Sequence, residues 1–443
     1  MILGGRVRFA AAGRALRHRN FRFFFFGQLI SVTGTWMQTV AQGWLLVTLV
    51  GPRQAIMYLG LLGAVQFLPV LVLGLFGGIV ADVWPKRRTV IGTQTAAALL
   101  ALVLGGLVYF HVVAVWHVFV LGFLLGLVNT VDMPVRQSFV VEMVGGDDIA
   151  NAVALNSAVF NGARIVGPAI GGLLIAIVGT ALCFVLNGLS YGAVVIGLLA
   201  MRENELMPAA RLAMPRSLVE VRSNLAEGLR YVFHTPVVLL AIAVIGSVST
   251  FGMNFNVVLP VLAAGVLNAG PTGFGILYAA MGAGALVAAL SVAMLHKPRL
   301  RVLIGGGLVL GVSEMVLAAT DSYPVALVAV FFAGLGAIAT AISANSLVQV
   351  TVPGRLRGRV MSVYTTVFTG STPIGNGLTG GVGGLWGTPA ALVMNGAITF
   401  GAEAVATVAV LRGFVRVGGG RGSGSAESVR PTVSKAASLP SID

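Results

Sequence analysis

From Phe21 to about Arg412 the chain is a succession of long apolar runs broken by short polar or Gly/Pro-rich segments. A helix crossing a bilayer takes about 20 predominantly apolar residues. Runs of that kind fall at 22–49, 54–81, 89–110, 115–135, 152–178, 181–201, 237–264, 272–295, 301–320, 323–346, 360–384 and 389–412. The pattern predicts an all-α membrane protein of twelve transmembrane helices, here spans 1 to 12. The longest polar break, 202–236, separates a first six-helix bundle (21–201) from a second (237–412). A basic N-terminus (1–20) and a Gly-, Ser- and Arg-rich tail (413–443), expected to be disordered, complete the chain. Inside the break, Ser217 and Glu220 form a capping box, and Leu218, Val221, Leu225, Leu229 and Val232 recur at helical spacing. They predict an amphipathic helix on the membrane face.

The two bundles read as a duplication. Sliding the chain against itself superposes Phe123, Gly126 and Leu127 on Phe331, Gly334 and Leu335. The same register places Val159, Phe160, Gly162, Gly167 and Gly172 on Val367, Phe368, Gly370, Gly375 and Gly380. Two parallel, pseudo-symmetric repeats place a substrate site near the midplane, between halves that rock about it.

Composition excludes a soluble protein: 57% of residues are hydrophobic and 9% charged, where a soluble domain has about a quarter charged. The net charge of +14 is set by topology. Apart from Arg53 in a far-side loop and Arg164 inside a span, Lys and Arg cluster in the N-terminus, alternate loops and the C-terminus. That is the positive-inside pattern, so both termini are expected in the cytoplasm of a plasma-membrane protein. The bilayer is the expected partner and nucleic acid is not, because no basic face with interleaved aromatics lies outside these loops. Cys183 is the only cysteine and the five histidines are scattered, so no metal site is expected. No nucleotide-binding loop or catalytic constellation is visible; the chain reads as a non-enzyme, without cofactor and monomeric.

Against this apolar background the polar residues stand out. Arg164 sits near the middle of span 5, where an unpaired guanidinium costs about 2.5–3.5 kcal/mol. It falls on a stripe with Ser157, Asn161, Pro168 and Gly171 at 3- and 4-residue spacing. The stripe is expected to face the central cavity, with Arg164 as a substrate- or coupling-site cation; pairing with Asp132 or carbonyl capping is the structural alternative. Thr372 takes its place in the second repeat. Gln28, Gln38 and Gln42 on span 1, Asn129 on span 4, Asn254 and Asn256 on span 7, Asn345 on span 10 and Tyr364 on span 11 are further candidates, either lining the cavity or bonding a neighbouring helix. Glu314 and Glu403 are carboxylates deep in spans 9 and 12.

Two motifs carry a resemblance. The segment Gly78-Ile79-Val80-Ala81-Asp82-Val83-Trp84-Pro85-Lys86-Arg87-Arg88 follows span 2, and span 5 holds Gly167-Pro168 followed by Gly171-Gly172. The first resembles the loop between helices 2 and 3 of the major facilitator superfamily, with Val83 in place of a cation and Pro85 in place of a glycine. The second resembles the antiporter motif of that superfamily's exporters, with Ala163 where the motif often begins with glycine. The resemblance implies a cytoplasmic gate of Gly78, Asp82, Lys86, Arg87, Asp132 and Arg136, in which Asp82 meets the N-terminus of helix 11 and Lys86 pairs Asp132. Spacing alone also allows Asp132 to pair Arg136, four residues on. Segments 132–137, 155–172 and 227–232 are similar to the enterobactin-exporter-like branch, which exports siderophores, drugs and other amphipathic metabolites.

What the resemblance implies is a secondary transporter exporting small amphipathic molecules by alternating access, with protons as coupling ion. A proton-coupled importer and a transport-inactive receptor or scaffold on the same fold remain as alternatives.

Overall fold

The computed structural model describes residues 13–207, 218–295 and 299–414; the side chains of 75–79, 81–82 and 218–225 lie outside that description, as do Ser217 and the tail beyond Phe414. The described chain is helical throughout its spans, with no strand. Span 1 is Arg19–Val50, span 2 Pro52–Val83, span 3 Lys86–Tyr109, span 6 Thr180–Leu199, span 8 Gly270–Ala293, span 9 Leu300–Ala319, span 10 Tyr323–Thr351 and span 12 Thr388–Leu411. Nine helical segments among the described residues are long and apolar enough to cross a bilayer, and they account for every span but 1 and 11. Those two take their places through packing, span 1 against spans 5 and 6 and span 11 against span 2.

Three places differ from the expected run of simple helices. Spans 4 and 5 form one helical stretch, Val115–Val178, where a loop over 136–151 was expected; the reversal is concentrated at Gly145, whose φ of 68° is open to glycine at little cost. Pro134 and Pro168 lie within that stretch without ending it. Span 7 is segmented: Pro236–Ser247, a π turn at Val248–Gly252, Phe255–Val261, and a second π turn at Leu262–Val266. The Asn254 amide, at the break, donates to the Thr250 and Phe251 carbonyls at 2.7 and 3.2 Å and so meets backbone groups the break leaves open. Span 11 comprises Gly354–Gly370 and Thr372–Trp386, parted at Ser371 two residues before Pro373, which has no N–H for the helix ladder. The hydroxyls of Ser249 and Ser371 share a hydrogen bond of 2.5 Å, tying the first π turn to that break.

The halves meet on one side of the midplane and separate on the other. At the end away from the termini a single apolar core runs across both, from Met37, Leu45, Ile56 and Leu59 to Phe255, Val258, Phe274 and Leu277. At the terminal end each half has its own core, around Phe24, Phe139 and Val194 in the first and Val238, Leu347 and Val360 in the second. The far end is drawn tight by paired glycines. A Cβ placed at Gly172 of span 5 would lie 2.8 Å from the Cα of Gly275 on span 8, and one at Gly380 of span 11 would lie 2.8 Å from the Cα of Gly60 on span 2. Only hydrogen at those positions permits backbones so close.

The linker helix, Leu218–His234, docks against the start of span 11: Glu227 pairs Arg359, and Gly228 rests on the Arg359 backbone. At the other terminus, Ala15 N–H donates to Asn151, while Arg14 and His18 both bind Asp148 beyond the Gly145 turn. The hydrogen bond from His18 is the largest influence on the Asp148 carboxyl and, with the charges of Arg14, His18 and Arg17, outweighs the opposing effect of burial and holds it below the ordinary carboxylate range.

Candidate functional site

Between the halves, on the open side of the glycine contacts, lies a cavity of about 400 Å³, within the usual size of small-molecule sites, about 300–1,000 Å³. The first half gives it most of its polar groups, Gln38, Thr39 and Gln42 of span 1, Gln66 of span 2, Asn129 of span 4 and Arg164 of span 5, set among Trp36, Phe67, Val70, Leu125 and Met133. The second half gives a mostly apolar wall, from Met253, Phe255, Tyr278, Met281 and Phe368, relieved by Ser249, Asn256 and Thr372. A contiguous space of about 370 Å³ leads on from it past Gln28, Met133, Arg136, Asn156 and Phe160, and shares Thr35, Trp36, Thr39, Asn129 and Met133 with the cavity.

Arg164 reaches this cavity with its guanidinium carbon 5.5 Å from the centroid of the Trp36 ring. Trp36 in turn packs edge-on against Phe160 and near Tyr278 of the other half, at centroid distances of 5.6 and 6.5 Å. The Arg164 Nε is shut from solvent without a hydrogen-bond acceptor, and no acid forms a salt bridge with it among the described residues. Stacking on an aromatic ring contributes about 0.5–2 kcal/mol, less than the about 2.5–3.5 kcal/mol that an unpaired guanidinium costs at mid-membrane. Among the described residues, then, one N–H of this cation, at Nε, is buried without an acceptor. The alternative pairing with Asp132 does not form.

The stripe expected around Arg164 is corrected in part. The residues of span 5 that face the open space are Asn156, Phe160 and Arg164, spaced by four. Asn161 donates back to the Ser157 carbonyl at 2.8 Å, and neither side chain lines the cavity. Polarity selected the wrong line of residues, because the aromatic Phe160 reads as core. Gly167 and Gly171 pack on span 1, beside Thr33 and Met37, and Gly172 on span 8, while the Pro168 carbonyl faces Gly275. The Gly-Pro segment is thus a seam joining span 5 to both halves.

Of the other candidates, Gln38 accepts from Asn187 at 2.7 Å and Gln42 from Gln66 at 3.2 Å, and both line the cavity, as do Asn129 and Asn256. Asn254 is buried in span 7, donating also to Thr379 at 3.0 Å; Tyr364 donates to the Ala341 carbonyl at 3.3 Å and stacks on Phe368. Both are structural bonds away from the lining. Asn345 accepts from Gln349 one turn on. Glu314 and Glu403 are buried in spans 9 and 12, with both Glu403 oxygens lacking a partner.

The gate expected from the resemblance is rearranged. Lys86 pairs Glu142, not Asp132. Asp132 is instead enclosed farther from the terminal end of the same helical stretch: it accepts from Thr93 at 2.7 Å and Gln94 at 2.9 Å and pairs Arg136 at 3.0 Å, and Arg136 also donates to Gln28 of span 1. Lys86 begins span 3, so an acid two turns and more beyond Asp132 along the same helix lies nearer its level. Arg87 caps span 6, donating to the Leu198 carbonyl at 2.7 Å and pairing Glu203, which suits a cation at a helix C-terminus. The backbone at Gly78 and Asp82 belongs to span 2, and their side chains lie outside the described residues. Sequence reasoning missed Trp36, Gln66 and Tyr278. Trp36 does fall one helical turn from Thr39 and two from Gly43, yet aromatic residues in apolar spans are indistinguishable from core by pattern. Among the described residues no cluster of His, Cys, Asp and Glu is able to hold a metal ion.

Twelve spans in two facing bundles around a midplane cavity are the fold of a major facilitator superfamily transporter. Comparison with known proteins gives the family: residues 10–417 match the transmembrane secretion effector family, to which the chain belongs. It is 30% identical over 362 residues to the multidrug efflux pump Tap of Mycolicibacterium fortuitum, covering 79% of this chain and 86% of the pump. It is 24% identical to the staphyloferrin A transporter of Staphylococcus aureus, over 61% of this chain and 66% of that protein, and 25% identical to the enterobactin exporter EntS of Citrobacter koseri, over 75% and 77%. Among solved structures, a peptide transporter POT in complex with sulfate superposes with a TM-score of 0.69 at 14% identity, covering 89% of this chain and 94% of the other. A bacterial homologue of the lysosomal transporter Spinster gives 0.64 at 13%, over 88% and 96%. At such identities these two speak to fold alone.

Proposed function

We propose that the chain exports small amphipathic molecules from the cytoplasm by alternating access, exchanging them for protons. The observation that carries this reading is the cavity at the seam of the halves, built around a mid-membrane arginine and closed at one end by the Gly60–Gly380 and Gly172–Gly275 contacts. The basic loops mark the terminal end as cytoplasmic, so this is the conformation that loads from inside. Rocking the halves opens the glycine seam and closes the vestibule. Relatives named as efflux pumps and a siderophore exporter support the outward direction.

Proton exchange needs a group that gains and loses a proton with the cycle, and no acid lines the cavity among the described residues. We assign that part to Asp132, whose partner Arg136 borders the vestibule and also holds Gln28 of span 1. That ion pair ties span 4 to span 1 at the rim of the vestibule, so breaking or making it changes how the two helices are joined there.

Inverted membrane vesicles energised to an acid interior test the reading. Addition of an exported drug or siderophore from a panel dissipates the proton gradient in vesicles containing the chain, and Asp132→Asn loses this response. A response only with the opposite polarity makes the chain an importer. No response from any compound, with the protein inserted and folded, makes it a scaffold.

A further inference from the structure

Arg164 is the one charged side chain lining the cavity among the described residues, and nothing acidic faces it there. Its Nε has no acceptor among the described residues. The guanidinium carbon lies over the Trp36 ring, 5.5 Å from its centroid, and the planar fork of N–H donors it carries matches the two oxygens of a carboxylate. The walls differ in kind. The charge and the side-chain amides Gln38, Gln42, Gln66 and Asn129 stand on the first-half side, among Phe67, Val70 and Leu125, whereas Met253, Phe255 and Phe368 dominate the opposite wall beside Ser249 and Asn256. A ligand that fits this division has a polar, negatively charged end toward the first half and an apolar body against the second.

We propose that the cavity selects organic anions: an amphipathic carboxylate whose two oxygens take the guanidinium fork of Arg164 while its aromatic or aliphatic body lies on the second-half wall. This rests on the transport reading and narrows it to a charge class. The cation accounts for selectivity in both directions, since a substrate of the same shape bearing a quaternary ammonium meets an uncompensated like charge in a low-dielectric site. Thr372, the counterpart of Arg164 in the second repeat, also lines the cavity and has no charge, so the anion is bound on one side only and enters in one orientation.

The test uses the purified full-length chain and three scaffolds, dansyl, naphthyl and coumarin, each prepared as carboxylate, carboxamide and trimethylammonium. Binding is followed by the fluorescence of Trp residues and of the probe. The carboxylates are expected to bind about tenfold or more tighter than the matching carboxamides, the scale of one charge-assisted hydrogen-bonded contact, with the trimethylammonium forms weakest. Arg164→Gln is expected to bring the carboxylate-to-carboxamide ratio to within about twofold of one, and Arg164→Lys to retain a preference for the anion. Equal binding of anion and amide by the parent chain, tighter binding of the cations, or no saturable binding by any scaffold overturns the proposal. So does a preference that survives Arg164→Gln. Counterflow of the same nine probes in proteoliposomes separates the two readings: movement of amides or cations as fast as carboxylates leaves transport standing and ends the charge assignment, while movement of none, with the family's amphipathic drugs also unmoved, ends the transport reading itself.

Discussion

Gly172 and Gly275 meet backbone to backbone across the two halves, the Gly275 Cα lying 2.8 Å from where a Gly172 Cβ would stand. A side chain there cannot be absorbed by a rotamer change, since the obstacle on each side is main chain. Gly172→Val and Gly380→Val are therefore expected to wedge the closed end, at a cost of about 1–3 kcal/mol to this conformation. Efflux should fall by about tenfold or more on that scale. Gly162→Ala serves as control, because a Cβ at Gly162 meets nothing within 4 Å. Equal activity of all three variants would remove the glycine seam from the cycle.

The ion pair between Lys86 and Glu142 makes a second prediction. Lys86→Glu sets two acids side by side and should strongly reduce efflux and folded yield. Adding Glu142→Lys should restore both, with a coupling of about 0.5–3 kcal/mol by double-mutant cycle. Adding Asp132→Lys in place of Glu142→Lys should not.

How much of this was readable beforehand varies by element. The spans were legible because a bilayer demands long apolar runs, and Arg164 because a lone cation inside one has no bland explanation. The partner of Lys86 was not, since choosing between Asp132 and Glu142 depends on the relative height of two helices, and both acids occupy the same helical stretch. The broken spans 7 and 11 were also hidden: the break in span 7 at 248–254 carries no proline, and its open carbonyls are met by the Asn254 side chain, a local bond that the apolar pattern does not announce. Ser157 and Asn161 were chosen for polarity, whereas the face toward the open space is set by packing of Gly167 and Gly171 on span 1.

Asp148 gives a pH dependence. Its carboxyl is lowered first by the His18 hydrogen bond and then by Arg14, so its contribution to stability is present above the unfolded-state value of about 3.9 and is lost as pH falls through the lower folded value. Asp148→Asn should lower the melting temperature near neutral pH, and the difference from the parent should shrink on acidification below about pH 4. A difference that grows with acidification would contradict the assignment.

Glu403 is buried without a polar partner for either oxygen among the described residues, against Gly307 of span 9. With no ion pair to lose, Glu403→Gln should leave efflux unchanged and stability within about 0.5 kcal/mol. Glu403→Lys places a cation in the same packed interior and should cost about 2.5–3.5 kcal/mol, seen as loss of inserted protein. Abolished efflux in a well-folded Glu403→Gln would instead place this carboxyl in the coupling machinery.

Thr39 lines both the cavity and the vestibule, which makes it the reporter for the central claim that one site is exposed to each side in turn. Thr39→Cys is treated with a membrane-impermeant maleimide in inverted and in right-side-out vesicles, with the parent chain, whose Cys183 is buried, as the background. The account predicts labelling from the terminal face at rest, and labelling from the opposite face when an inward proton gradient is imposed. Reactivity confined to one face whatever the gradient, or equal from both faces without one, would contradict it.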